Sequence, residues 1–385
     1  MKEFKLGDIS KIVSGSTAPK EELFNEKLGL PFIRAGHLEG LCNGEDINKL
    51  PKIEENTIKG MVKVPKNTIV FAKSGMSCMK ARVYQTKEEA FIVNHLAGVI
   101  CSDYIEPDYL KFYFQYNKPN RLVLDDSYPS IRLSDISNIK LIIPDRAKQI
   151  IISRVLDKCQ EIIQKRKEQI EALDELVKSK FIEMFGEWFK NKTYYHQLSE
   201  ICTFIDYRGK TPEKSESGIP LITAKNVKSN SFSFEPREYI PSENYREVMT
   251  RGIPKVNDIL FTTEAPLGNV CRIPSIEGEF CVGQRLITMQ PTDRIVSEYL
   301  EYALLSEQFQ NEMWKHASGS TVKGIRSKEL VKLSLPVPPI ELQNQFSDFV
   351  NQVDKLKFEM EKSLKELEDN FNALMQKAFD GELFN

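Results

Sequence analysis

Long apolar runs are missing. No stretch of this 385-residue chain approaches the ~18 consecutive apolar residues of a membrane span, and Met1-Lys2-Glu3-Phe4-Lys5 lacks the apolar core of a secretory leader. Histidine is scarce, with four residues, at 37, 95, 196 and 316, and neither His-Glu-x-x-His nor Gly-x-Ser-x-Gly occurs. The seven cysteines are odd in number and contain no Cys-x-x-Cys. A disulfide framework and a structural zinc site are therefore not expected, and reduced thiols of a cytoplasmic protein are. Gly209-Lys210-Thr211 supplies the tail of a phosphate-binding loop, but Phe204 stands where its first glycine must be. Adenine methyltransferases carry Asn/Asp-Pro-Pro-aromatic, and the nearest stretch, Val337-Pro338-Pro339-Ile340, has neither the polar nor the aromatic residue. The chain is expected to carry no catalytic residue, no metal ligand and no cofactor of its own.

What is present is enough apolar material for a core, 41% hydrophobic against 28% charged, so global disorder is not expected. The net charge of −2 is unevenly spread. Residues 1–144 have 20 Lys/Arg against 18 Asp/Glu, residues 145–190 have 10 against 9, residues 191–338 balance at 18 and 18, and residues 339–385 have 5 against 10. Near-neutral to slightly basic globular segments permit DNA binding, and predict that it is weak for the chain alone, because phosphate neutralisation supplies most non-specific affinity.

The chain repeats itself with a long period. Pro31-Phe32-Ile33-Arg34-Ala35 returns as Pro220-Leu221-Ile222-Thr223-Ala224, and Asn67-Thr68-Ile69-Val70-Phe71 as Asn257-Asp258-Ile259-Leu260-Phe261. Asp108-Tyr109-Leu110 matches Glu298-Tyr299-Leu300, and Ile131-Arg132 through Pro144 matches Ile325-Arg326 through Pro338. Each copy predicts short strands broken by turns, at Ile69–Phe71, Phe91–Val93 and Val99–Ile100 and again at Ile259–Phe261 and Leu286–Met289. A helix is expected over Pro107–Tyr116 and over Ser297–Trp314.

A different pattern follows each copy. From Asp145 to about Phe185 there is no Pro or Gly, and apolar positions recur at three- and four-residue steps, including Leu156, Ile163, Ile170, Leu173 and Val177. The C-terminal stretch repeats this with Met360, Leu364, Leu367, Phe371 and Leu374, and Gly381 reads as its stop signal. Helices this long need a partner for their apolar seams, and the economical partner is the other helix of the same chain. The expected class is α+β, with two duplicated globular α/β domains (1–144 and 191–338) and two long helices (145–190 and 339–385) forming an antiparallel coiled coil.

Three loops in each copy gather small polar residues beside Arg or Lys, a composition suited to base edges and phosphates. The first holds Ser14, Ser16 and Thr17, matched by Tyr207, Arg208, Lys210 and Thr211. Lys73, Ser74, Lys80 and Arg82 form the second, matched by Thr263 and Arg272. The third holds Tyr128 and Arg132, matched by Ser320, Thr321, Lys323 and Arg326. Glycine and serine also build plain turns, so an adaptor with duplicated peptide- or protein-binding domains on a coiled coil is the alternative.

Taken whole, this arrangement resembles the specificity subunits of type I restriction–modification enzymes. The marks are Leu6-Gly7-Asp8-Ile9 with the Gly15–Pro19 turn, Leu198-Ser199-Glu200-Ile201 with Gly209–Pro212, the repeated Asn257–Phe261 strand, and Pro338-Pro339-Ile340-Glu341-Leu342-Gln343 opening the second helix. The family's usual Glu-Gln at the helix start stands here as Lys148-Gln149 and Leu342-Gln343. The resemblance implies a non-catalytic subunit that reads a split duplex DNA site, one half-site per target-recognition domain. It further implies two modification subunits that use S-adenosylmethionine to methylate adenine, and two restriction subunits that use ATP and Mg²⁺, so the cofactors belong to the partners.

On this reading helix length acts as a ruler. A first helix of about 41 residues is roughly 60 Å long at ~1.5 Å per residue, and DNA-binding dimers place half-sites about 34–36 Å apart. Inserting four residues near Glu168–Leu173 adds roughly 6 Å and is expected to lengthen the unread spacer by about one or two base pairs. Mapping of methylated adenines checks this, and an unchanged spacer rejects it.

Overall fold

The computed structural model describes residues 2–55, 57, 59–207, 212–380 and 382. Short β-branched and aromatic runs bounded by Gly, Pro and Asn form the strands. In chain order they are β1 (Lys2–Lys5), β2 (Ser10–Ser14), β3 (Leu30–Ile33), β4 (Ile69–Ala72), β5 (Val83–Gln85), β6 (Ala90–Ile92), β7 (Leu96–Cys101), helix α1 (Pro107–Tyr116), β8 (Lys140–Ile143) and the long helix α2 (Arg146–Phe185). The second copy follows with β9 (Tyr195–Gln197), β10 (Cys202–Asp206), β11 (Ile219–Ile222), β12 (Ile259–Thr263), β13 (Leu267–Arg272), β14 (Cys281–Val282), β15 (Leu286–Pro291), α3 (Ser297–Leu305), α4 (Glu307–Lys315), β16 (Ser334–Pro336) and the long helix α5 (Ile340–Phe379).

Two units result, Met1–Lys167 with Lys362–Asn385, and Glu168–Glu361. They are built alike. A four-stranded sheet has the order β2-β7-β4-β5 in the first and β10-β15-β12-β13 in the second. Beside it, β3 pairs in parallel with β6 (Phe32 opposite Phe91), and β11 with β14 (Leu221 opposite Cys281). An antiparallel ribbon joins entry to exit in each copy, β1 with β8 and β9 with β16.

The central strand β4 explains why its run is apolar throughout. Successive side chains point to opposite faces, and each face meets a different core. Ile69 and Phe71 pack with Tyr109, Phe112 and Phe114 of α1, whereas Val70 and Ala72 pack with Phe32, Ile33 and Phe91. Strand β12 repeats the arrangement: Ile259 and Phe261 face Tyr299, Leu300 and Ala303 of α3, and Leu260 faces Ile222, Val282 and Leu286. Burying one such side chain contributes about 1.5–3 kcal/mol.

One expectation needs correcting. The helix expected over Ser297–Trp314 is broken into α3 and α4, because Ser306 leaves helical geometry and its Oγ accepts the N–H of Phe309, capping α4.

Each unit contains half of each long helix, and within each the halves run antiparallel. In the first unit Ile152 and Leu156 share a core with Phe371, Leu374, Met375 and Ala378, and further along Lys167 Nζ meets Glu368 Oε1 at 2.8 Å. In the second, Lys357 Nζ meets Asp174 Oδ1 at 2.6 Å, and Phe185 packs on Phe346 with ring centroids 5.5 Å apart. Of the seam residues expected from spacing, Leu156 and Val177 are buried, and Ile163, Ile170, Leu173, Met360, Leu364, Leu367, Phe371 and Leu374 are half-buried. The spacing did not single out Phe181, Phe185 and Phe346, which are buried with Tyr299 and Tyr302 of the globular part.

Each long helix is also stapled at its start. Gln149 and Gln343 are almost fully buried. Gln149 Oε1 accepts the N–H of Glu106 at 2.9 Å, and its Nε2 donates to the carbonyls of Tyr104 (3.1 Å) and Pro144 (3.0 Å). Gln343 does the same with the N–H of Val296 (3.0 Å) and the carbonyls of Arg294 (3.2 Å) and Pro338 (2.8 Å). One amide thus satisfies two backbone groups of the turn into α1 or α3 and the carbonyl of the proline just before the long helix. Gln343→Leu fills the space but strands all three, and is expected to cost about 3 kcal/mol in denaturant unfolding of the full chain. The exposed neighbour Gln345→Leu is expected to change stability by less than about 0.5 kcal/mol.

Candidate nucleic-acid interface

Loops converge at the same end of the four-stranded sheet in both units. In the first, the loop after β4 is tied on one side by Lys73 N–H to the carbonyl of His95 (2.9 Å) and on the other by Ile131 N–H to the carbonyl of Lys73 (2.7 Å). The first loop joins them through Asn94 N–H to the carbonyl of Ser16 (2.8 Å). The second unit repeats the central ties with Thr263 N–H to the carbonyl of Arg285 (3.0 Å) and Ile325 N–H to the carbonyl of Thr263 (3.0 Å). Ser74 pairs across the loops with Ser130, as Glu264 does with Gly324.

This rim brings together Ser14, Ser16, Lys73, Ser74, Tyr128 and Arg132 in the first unit. Tyr128 is exposed and so is Arg132, whereas Ser14 and Ser16 spend their hydroxyls locally, on the carbonyl of Asn94 (3.3 Å) and the N–H of Val62 (2.8 Å). Thr17 and Lys80 are exposed. In the second unit Ser320, Thr321, Lys323 and Arg326 are all exposed on the third loop. Residues Thr263, Glu264, Gln284, Arg285, Ser318 and Arg326 help line a polar concavity of about 370 Å³. Arg208, Lys210 and Thr211, with Gly209, lie outside the described residues, as does Gly381.

Four of the sequence candidates are placed elsewhere than the matched loops suggest. Tyr207 is buried, its hydroxyl donating to the carbonyl of Gly252 and accepting the N–H of Arg251. Thr263 is buried, with Oγ1 donating to the carbonyl of Arg285 at 3.2 Å. Arg82 is turned toward Glu39, 2.6 Å away. Arg82 and Arg272 are not counterparts either: β4 pairs Ile69 with Gln85 where β12 pairs Ile259 with Arg272, so Gln85 holds the position of Arg272.

Arg272 sits in a cage of carboxylates. Its Nε meets Glu301 at 2.7 Å, Nη1 meets Glu298 at 3.1 Å and Nη2 meets Asp354 of α5 at 2.7 Å. Burial opposes the guanidinium charge, and Glu301 and Asp354 more than offset it, holding its pKa above the usual value. Burial pushes the Glu301 carboxyl up despite this partner. Arg272 is thus a tie between β13, α3 and α5 rather than a candidate for phosphate contact.

The sequence reading missed Asn94–His95 and Gln284–Arg285. Positions 91–100 and 281–290 have the same burial residue for residue, sealed except at 94, 95 and 100 and at 284, 285 and 290. The available signal was a polar pair breaking an otherwise apolar run at the repeat offset, Val93-Asn94-His95-Leu96 against Gly283-Gln284-Arg285-Leu286.

Among the described residues no group of three or more His, Cys, Asp or Glu is placed to hold a metal ion, and no helix is long and apolar enough to cross a membrane. Removing Arg272 is expected to act on folding: Arg272→Ala strands two buried carboxylates and costs about 3–5 kcal/mol. The check is chemical denaturation beside DNA titration, in which the salt slope of binding stays unchanged.

Comparison with known proteins bears on these loops. The chain matches the type I restriction modification DNA specificity domain over residues 1–172 and 192–369. The type I restriction enzyme MjaIX specificity subunit of Methanocaldococcus jannaschii is 36% identical over 150 residues, 36% of this chain and 33% of that protein, so the match spans a third of that relative's length. A protein of the same organism provisionally named the MjaX type I restriction enzyme specificity subunit is 22% identical over 98% of this chain and 92% of its own length. The fold is similar to a crystal structure of a type I restriction–modification S subunit from M. genitalium, with TM-score 0.55 and 16% identity over 98% of this chain and 96% of that one. It is also similar to a chain from a structural study of type I restriction–modification complex assembly, with TM-score 0.60 and 18% identity over 99% and 98% of the two chains. Nothing in these matches supports the adaptor alternative. With both copies of the duplicated domain matched, the chain belongs to the DNA-specificity subunits of type I restriction–modification systems.

Proposed function

We propose that each globular domain of this specificity subunit reads one half of a split duplex DNA site through its loop rim, and that the chain recruits two modification and two restriction subunits. The supporting observation is that the two rims share one scaffold and differ in side chains. The ties that fix Lys73, His95 and Ile131 recur at Thr263, Arg285 and Ile325, while Ser74 and His95 give way to Glu264 and Arg285. Such a pair of seats suits two readers of different sequences.

The chemistry is assigned to the partners: S-adenosylmethionine with the modification subunits, and ATP and Mg²⁺ with the restriction subunits. This chain positions them. Its internal duplication, two copies of one domain in one chain, suits two copies of each partner. The exposed Arg132, Lys323 and Arg326 serve phosphate contact, and modest rim charge leaves the isolated subunit a weak binder whose affinity is completed in the complex.

The test is a loop exchange in the complex with its modification subunits, followed by mapping of methylated adenines. Replacing residues 318–323 by an unrelated loop is expected to change one half-site only, and replacing residues 125–130 the other. Loss or change of both half-sites by either exchange rejects the assignment of one half-site per domain.

A further inference from the structure

We infer that Arg285 reads a guanine in the half-site of the second domain, with Glu264 as the residue that positions it. The inference rests on the reading that this domain contacts DNA through its loop rim.

Arg285 begins at a rigid point. Its carbonyl accepts both the N–H (3.0 Å) and Oγ1 (3.2 Å) of buried Thr263, and Leu286, the next residue, opens β15. From this anchored backbone the side chain extends over the polar concavity, about half exposed. Glu264 Oε1 lies 3.3 Å from its Nε. That contact engages Nε, and among the described residues Nη1 and Nη2 make no hydrogen bond or ion pair, so the half-exposed guanidinium keeps a fork of donors for a ligand. A fork of donors matches guanine, which presents two acceptors, N7 and O6, on its major-groove edge.

The carboxylate decides between base and phosphate. A phosphate approaching Arg285 would carry a full negative charge against the Glu264 carboxylate, whereas an uncharged base edge is repelled far less. Glu264 can itself accept from a cytosine N4 amine, so the pair favours G·C chemistry at the rim over backbone contact. By contrast, Arg326 and Lys323, exposed on the same rim and in no ion pair among the described residues, are suited to the phosphates.

The first domain supplies an independent observation. The corresponding seat holds His95, whose carbonyl accepts Lys73 N–H at 2.9 Å, and Ser74 Oγ lies 2.8 Å from His95 Nδ1. The same two loop positions, 74 with 95 and 264 with 285, thus form an orienting pair in both domains with different chemistry. A position whose backbone is held and whose side chain changes is where two half-sites would be told apart. His95 is the matching specificity position of the other half-site.

The experiment uses the full chain in complex with its modification subunits, with methylated adenines mapped for the parent and for Arg285→Ala. The expected result is a guanine in one half-site of the parent motif. In the variant, discrimination at that base pair should fall about 10- to 100-fold, with the other half-site intact as an internal control for folding and assembly. His95→Ala is expected to relax a position in the opposite half-site only. A parent half-site without guanine, or a variant that demands the guanine as strictly as the parent, overturns the inference. The exchange of residues 318–323 separates the two levels. If that exchange alters the half-site and Arg285→Ala does not, only the guanine assignment fails. If neither alters it, the reading of the second domain as a DNA reader fails as well.

Discussion

The carboxamide of one glutamine at the foot of each long helix is the contact on which the architecture turns. Gln149 and Gln343 each bind an amide and a carbonyl of the turn before α1 or α3 and the carbonyl of the proline before their own helix, and they do so out of water. A buried amide left without partners is costly, so this junction has one favourable geometry. The helix can leave the globular part only in the direction that keeps all three bonds, which converts a flexible exit after Pro144 or Pro338 into a fixed one.

Around that shared joint the two units use different ionic ties. In the first, Lys111 of α1 meets Asp157 of α2 at 2.9 Å. In the second, Arg272 of β13 meets Asp354 of α5 and two glutamates of α3. Gln85, which occupies the register position of Arg272 in the first unit, carries no charge. The duplication therefore preserves hydrogen-bonded backbone geometry closely and charge loosely. Desolvated charges must be matched by whatever happens to lie opposite, and amide geometry is set by the main chain, which both copies share.

The repeat, the central strands and the two long helices were legible because each has a period: about 190 residues between copies, two residues along β4 and β12, and alternating three and four along α2 and α5. Phe181, Phe185 and Phe346 escaped because they meet each other across the helix pair and Tyr299 and Tyr302 of the globular part at once, a junction that helix spacing alone does not mark. Arg272 was misread for a different reason. An arginine a few residues after a loop looks the same in sequence whether it faces phosphate or a buried carboxylate. Only Glu298, Glu301 and Asp354, brought from 26 to 82 residues away, distinguish the cases. His95 and Arg285 were passed over because a polar pair between two apolar runs carries no functional mark until both copies are laid side by side.

The sealed pattern around residues 91–100 and 281–290 has a bearing on how such a protein changes over generations. Nearly every side chain there is committed to a core; of the others, Gln290 holds the buried Asp258 carboxyl at 2.7 Å, whereas Asn94, His95, Gln284 and Arg285 stand at the rim. On the proposed reading, substitution at the four rim positions retargets the molecule without a compensating change inside it. Selection for a new address and selection for a stable fold act on separate letters of the same short stretch.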